Sequence, residues 1–209
     1  MNRIGVVCPS IFEYQALDKT ALSRKGVTLV QSGMGKLRAM YACAWMHRKL
    51  PGLRHILLIG FTGGLKGDLK IGDVIEPNLF IEQDYYAEPF EKFPNRIRAP
   101  KKLMPHSSAS VMLTQDRFLT ENPYRKGPYA RRFKTITCDM ESYAVAHYCR
   151  QAAIRYSVIK LVSDLANETA DHDFLKACKR LAPKLNRTVL NAVGLIAKKT
   201  RPLPTRKPY

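Results

Sequence analysis

Three acids, Glu13, Glu141 and Asp164, are the residues around which a reaction could be built. Each stands where an apolar run gives way to a polar start. Ile4-Gly5-Val6-Val7-Cys8 precedes Glu13, Ile136-Thr137-Cys138 precedes Asp139-Met140-Glu141-Ser142, and Ser157-Val158-Ile159-Lys160-Leu161-Val162 precedes Ser163-Asp164. Taken singly, each is as well explained as a carboxylate at a helix start, where the dipole and the free N–H groups welcome negative charge. Strands of an open α/β sheet bring their C-terminal ends to one crevice. Three carboxyls at one such edge form a set able to hold and move protons on a bound molecule.

The elements that must position them are legible as alternating strands and helices. Residues 3–8 read as a strand ended by Pro9, with Ser10 capping a helix that begins near Ile11. Residues 26–31 read as a second strand. The turn Ser32-Gly33-Met34-Gly35-Lys36 then leads into a helix over about 36–48; it has the look of a phosphate-binding turn but lacks both GxGxxG and the Walker residues. Ile56-Leu57-Leu58-Ile59 runs into Gly60-Phe61-Thr62-Gly63-Gly64, which reads as a buried strand ending in a glycine turn that opens the crevice; a tight strand-to-strand turn is the plainer alternative. Further strands are expected at 79–83, 110–114, 136–138 and 157–162, an irregular excursion at 87–108, and helices from 139 to about 153 and from about 173 to 199. The alternation predicts an α/β fold, a three-layer α/β/α sandwich around a central mixed sheet.

Composition sets the outer limits. No flexible linker divides the 209 residues, so one domain is expected over 1–200, followed by a disordered basic tail at 201–209. The 45% hydrophobic content suffices for a sizeable core. No apolar run reaches the roughly 18 residues of a membrane helix, and the N-terminal apolar run is too short for a signal peptide, so a cytoplasmic protein is expected. Cys8, Cys43, Cys138, Cys149 and Cys178 show neither CxxC spacing nor an even count, which points to buried free thiols. The net charge of +18, from 35 Lys and Arg against 17 Asp and Glu, favours anionic surroundings. Without interleaved aromatics or a reading helix it predicts no specific nucleic-acid partner, and leaves a solvated basic surface beside a weak contact with a polyanion or an anionic membrane.

The ordered blocks Ile4-Gly5-Val6-Val7 with Glu13, Ser32-Gly33-Met34-Gly35-Lys36, Gly60-Phe61-Thr62-Gly63-Gly64-Leu65 with Leu69-Lys70-Ile71-Gly72-Asp73-Val74, Asp139-Met140-Glu141-Ser142 and Ser163-Asp164 span nearly the whole chain. Together they resemble the nucleoside phosphorylase and nucleosidase superfamily, and within it the methylthioadenosine and S-adenosylhomocysteine nucleosidases. The resemblance implies a nucleoside phosphorylase-like fold and hydrolysis of the N-glycosidic bond of a purine nucleoside modified at the 5′ position. It also implies that Asp164, held by Ser163, protonates the leaving purine, that Glu13 takes a proton from the attacking water, and that Glu141 binds the ribose hydroxyls. An oxocarbenium-like bond cleavage needs such an acid and base with separated pKa values. By the same resemblance Phe118 stacks on the purine and Met140 packs under the ribose, while Met34 and Phe174 line the 5′ pocket beside the Phe61–Gly63 stretch. Core packing is the plain alternative for each of these apolar side chains. No cofactor or metal is implied. A homodimer is, with the neighbouring subunit closing the pocket near Tyr85, Tyr86, Ala87 and Phe90.

Phe61, Asp139 and Asn167 depart from the usual nucleosidase wording, and the segments 13–32 and 86–139 are short. The wording at Gly60–Gly64 and Asp139–Ser142 is similar to the hopanoid-associated branch, whose proposed substrate is adenosylhopane. Two further readings stand beside hydrolysis. One is a phosphate-dependent purine nucleoside phosphorylase, for which the loop Cys8-Pro9-Ser10-Ile11-Phe12 lacks an arginine although Lys36 and Arg38 lie near the second glycine turn. The other is a nucleoside- or polyanion-binding protein without turnover.

Overall fold

The computed structural model describes residues 3–85, 95–123 and 128–199. The tail expected at 201–209 and the partner-facing positions Tyr86, Ala87 and Phe90 lie outside them. In chain order the elements are β1 (Arg3–Cys8), α1 (Ile11–Ala16), α2 (Lys19–Arg24), β2 (Val27–Gln31), α3 (Lys36–Lys49), β3 (Leu53–Lys66) and β4 (Val74–Glu82). There follow β5 (Arg96–Arg98), β6 (Ser108–Thr114), α4 (Pro128–Arg132), β7 (Ile136–Asp139), α5 (Ser142–Gln151), β8 (Arg155–Asp164) and α6 (Ala170–Lys199).

The sheet is mixed. β1 pairs in parallel with β2 and β3, β3 with β8, β4 with β6, and β6 with β7, whereas β3–β7, β4–β5 and β4–β8 are antiparallel. Because β3 meets both β7 and β8 and β8 meets β4, five strands close on themselves and leave β2 and β5 as the outer ones. Side chains of β1, β3 and β8 alternate between two apolar clusters. Val6, Leu57, Ile59 and Ile159 face Leu17, Leu22, Ala177, Leu181 and Leu185 of the α1–α2 segment and α6. Val7, Ile56, Leu58 and Val158 face Ala39, Cys43 and Met46 of α3 with Val145 and Cys149 of α5. This is the expected three-layer arrangement, with all five cysteines buried as free thiols.

Two local expectations are corrected, the glycine turn and the irregular excursion. The glycine stretch at 60–64 is not a turn, because β3 continues through it to Lys66, paired to β8 on one side and to β7 on the other. None of its glycines has positive φ; what they provide is close approach. The excursion at 87–108 contains β5, and the 13–32 segment contains the short helix α2, whose N-cap Asp18 accepts from Ala21 N at 2.9 Å. Helix α6 carries Pro183 inside it without ending there.

His55 of β3 is buried and its Nε2 meets Ser157 Oγ at 3.1 Å. Burial, helped by Arg155 and Lys199, lowers its pKa to about 4. The unfolded chain therefore takes up a proton that the folded chain refuses, and His55 costs stability as the pH falls from the ordinary histidine value towards 4. Relative to His55→Gln, the wild type should lose roughly 2–3 kcal/mol between neutral pH and about pH 4 in urea unfolding. An unchanged difference across that window would show that the imidazole is not buried neutral.

Candidate active site

The C-terminal ends of β1, β3, β7 and β8 surround a half-open pocket whose enclosed cavity is about 60 Å³. Its walls hold the residues expected to act on or bind the substrate: Glu13, Glu141 and Asp164, then Ser163, Met140, Phe118, Phe61, Gly63, Met34 and Phe174. Arg117, Leu119, Cys138 and Asp139 also line it.

Glu13 owes its position to a local motif. Ser10 Oγ accepts from Glu13 N at 3.2 Å while Glu13 Oε2 accepts from Ser10 N at 2.6 Å, a capping box at the start of α1. The capping reading and the site reading are therefore both right, because Oε1 reaches across to accept from Phe61 N at 2.8 Å. That reach explains Gly60: a Cβ there would overlap Glu13 Oε1 and stand 2.9 Å from its Cδ. Burial raises the Glu13 pKa, opposed by Lys160 and by the two N–H donors.

Glu141 stands at the N-cap of α5 but makes no capping bond with its side chain. It is Asp139 that accepts from Ser142 N, at 3.2 Å, and from Thr114 Oγ1 at 2.9 Å. Glu141 instead accepts from Gly35 N at 3.0 Å. The second glycine turn thus spends its first helical N–H groups on the protein's own carboxylates, since Asp116 takes Lys36 N at 2.8 Å. Gly33 and Gly35, at φ of 84° and 107°, are the glycines whose positive φ shapes that turn.

Below these acids lies a residue that the reading of the motifs passed over. Lys160 of β8 is fully buried, with Nζ 3.1 Å from Asp139 Oδ2 and 3.2 Å from Glu141 Oε2. Burial pulls its pKa down, but Asp139, Glu141 and Glu13 together push it above the ordinary lysine value. In Glu141 burial raises the pKa to about 7 against the pull of Lys160. The signal was present in the sequence. A lysine inside Val158-Ile159-Lys160-Leu161-Val162 cannot reach water from a strand covered on both faces, so it requires buried acids.

Asp164 ends β8. Ser163 Oγ donates to its Oδ2 at 2.7 Å and Ala166 N to its Oδ1 at 3.0 Å. Burial raises its pKa over the opposing effect of these donors. Gly63 admits it, since a Cβ there would lie 3.1 Å from Asp164 Oδ1 and 2.9 Å from Cys138 Sγ.

The apolar wall is built on Phe174, whose ring stands edge-on to Phe12, Phe61 and Phe118 at centroid distances of 6.3, 6.0 and 5.8 Å. Phe118 is 39% exposed and Met34 47%, so plain core packing accounts for neither. Phe61 is buried. Among the described residues no group of three or more His, Cys, Asp or Glu is arranged to hold a metal ion.

The family model described as the Phosphorylase superfamily matches residues 17–193. The chain belongs to the phosphorylase superfamily. Similar proteins include the 5′-methylthioadenosine/S-adenosylhomocysteine nucleosidase of Buchnera aphidicola, 26% identical over 194 residues that cover 84% of this chain and 76% of the relative. The enzyme of the same name from Shewanella frigidimarina is 26% identical, covering 74% and 75%. Among solved structures, a variant of the Helicobacter pylori nucleosidase with 5′-methylthioadenosine in its active site superposes with a TM-score of 0.79, at 19% identity over 93% of this chain and 99% of that one. The futalosine hydrolase of Helicobacter pylori superposes with a TM-score of 0.75, at 19% identity, covering 95% and 98%. These structural likenesses are of fold.

Replacing Lys160 by methionine would leave Asp139 and Glu141 facing each other without a cation. Lys160→Met is expected to destabilise the fold by about 3–5 kcal/mol, measured by urea unfolding near neutral pH. Adding Asp139→Asn to Lys160→Met should recover part of that loss; no recovery would mean that the lysine acts by packing alone.

Proposed function

We propose that this chain hydrolyses the N-glycosidic bond of a 5′-modified adenosine, of the methylthioadenosine and S-adenosylhomocysteine type, and releases free adenine. The observation that carries this reading is the convergence of Glu13, Glu141 and Asp164 on one pocket whose wall carries the exposed ring of Phe118. The names of the similar proteins supply the substrate class.

Each group has a chemical task. Asp164, whose pKa is raised by burial, keeps its proton to higher pH than an ordinary aspartic acid and delivers it to N7 of the purine as the C1′–N9 bond breaks. Ser163 then stabilises the carboxylate that remains. Glu13, its two oxygens fixed by Ser10 N and Phe61 N, accepts a proton from the water that bonds to C1′. Glu141, anchored by Gly35 N and Lys160, accepts from the ribose hydroxyls. Phe118 stacks on the base, Met140 supports the ribose, and Met34, Phe61 and Phe174 surround the 5′ group along the Gly63 strand. The products are adenine and the 5′-modified ribose, so atoms and protons balance without a cofactor.

Water is preferred to phosphate because the lysines nearest the acids are engaged, which leaves Arg117 of the pocket wall as the cation a phosphate would have to use. Lys160 is held by Asp139 and Glu141, Lys36 by Glu82 and Asp84, and Arg38 donates to Met34 O. The same reading places the protein in the cytoplasm as a homodimer. Among the described residues no helix is long and apolar enough to cross a membrane. Leu37, Met40, Tyr41 and Trp45 expose one apolar face of α3 that a second copy would cover, with Tyr85 nearby in the groove beside Leu37 and Met40.

Adenine release from methylthioadenosine should proceed without phosphate and fall by about 10²–10⁴-fold in Asp164→Asn and in Glu13→Gln. The profile of kcat/KM should decline at alkaline pH as Asp164 loses its proton and at acid pH as Glu13 gains one; the alkaline limb should vanish in Asp164→Asn. Strict dependence on phosphate would make the enzyme a phosphorylase, and silence on methylthioadenosine, S-adenosylhomocysteine, inosine and adenosine would remove the reading.

Gly60→Ala tests the geometry separately. The added methyl must displace the Glu13 carboxylate, so turnover should fall by about 10²-fold or more while loss of the α1 cap costs about 0.5–2 kcal/mol and leaves the chain folded under assay conditions. Full activity in this variant would show that Glu13 need not sit where it does.

A further inference from the structure

Apart from Met34 and Phe118 of the pocket wall and Tyr85, the exposed large apolar side chains of the described residues fall into two sets on opposite layers of the sandwich. One is the α3 face already assigned to a second copy. The other rings the mouth of the pocket on the α1–α6 side: Ile11 at 43%, Phe12 at 40%, Leu165 at 41% and Leu175 at 49% exposure. Each is next in sequence to a residue of the pocket wall, namely Ser10, Glu13, Asp164 and Phe174.

Behind this rim the surface is cationic. Helix α6 contains no acidic residue after Asp173, and its solvent side carries Lys176, Lys179, Arg180, Lys184 and Arg187 at spacings of three and four. From Leu175 to Arg180 is about 8 Å along the helix, so the first cations stand within two turns of the rim. Asp18 N donates to Asn186 Oδ1 at 2.9 Å and ties α2 alongside, adding the exposed Lys19, Arg24 and Lys25. The acids at the tip are locally engaged, Asp173 with Thr169 Oγ1 and Asp171 with His172.

We propose that the α1–α6 edge, with Ile11, Phe12, Leu165 and Leu175 as its apolar rim and the basic face of α6 behind them, docks on an anionic lipid bilayer with the pocket mouth towards the membrane. Apolar side chains enter the boundary between headgroups and acyl chains while the lysines and arginines meet the headgroup phosphates. A polyanion without an apolar phase would use the cations and leave the rim wet. The combination of rim and charge therefore fits a bilayer rather than a nucleic acid. This attachment does not rest on the catalytic reading, and vesicle binding alone decides it.

The full chain is sedimented with vesicles of phosphatidylcholine alone and of phosphatidylcholine mixed with phosphatidylglycerol. Binding should appear with the mixed vesicles and weaken with added salt. Lys179→Glu with Arg180→Glu should reduce vesicle affinity by roughly tenfold or more. Ile11→Ser with Leu175→Ser should reduce it by a similar factor while leaving the thermal transition and the soluble-substrate turnover unchanged. Absence of binding to the mixed vesicles would overturn the proposal. So would loss of binding on charge reversal without any loss in the serine pair, which would mark a polyanion surface only. Binding indifferent to both pairs would place the contact elsewhere on the chain and overturn it equally.

Discussion

A single buried cation holds the centre of this structure together. Lys160 has no exposure to water, and it stands among Asp139, Glu141 and Glu13. Taking an ammonium group out of water costs several kcal/mol, and only close, hydrogen-bonded carboxylates offset it. The converse holds for the acids, which would otherwise neutralise themselves at the bottom of an apolar crevice. The end of β7, the start of α5 and the middle of β8 are therefore bound to one another by charge as well as by sheet pairing. The pocket floor is a consequence of that balance.

Around this centre the chain uses the same groups twice. The Ser10–Glu13 capping box starts α1 and sets the carboxylate that faces Phe61 N. Asp139 caps the start of α5 and faces Lys160, which frees the adjacent Glu141 for Gly35 N. Close approach is obtained by removing side chains from β3: at Gly60 and Gly63 a Cβ would meet Glu13, Cys138 or Asp164. These glycines keep an extended backbone, so their contribution is space rather than conformational freedom.

The two outer layers are differentiated. On the α3 side apolar residues are exposed as a helical stripe, whereas on the α1–α6 side they form a rim around the pocket with cations behind it. An excess of +18 spread evenly would mainly keep molecules apart in solution. Gathered along one helix face beside exposed leucine and isoleucine, it gains a direction, and the mouth of the pocket shares that direction.

The sequence by itself determined the alternation of strands and helices, the cap at Ser10, and the standing of three acids at strand ends or helix starts. Those features depend on local periodicity, capping chemistry and residue type, which neighbouring residues specify. Only the tertiary structure decided that Gly60–Gly64 continues a strand, because a glycine that makes room for a distant carboxylate and one that turns the chain look alike in sequence. It also decided the partners of Lys160. An isolated lysine in an apolar run announces a need for buried acids, but which acids meet that need depends on β7 and β8 being brought together across the sheet, a choice made by long-range packing.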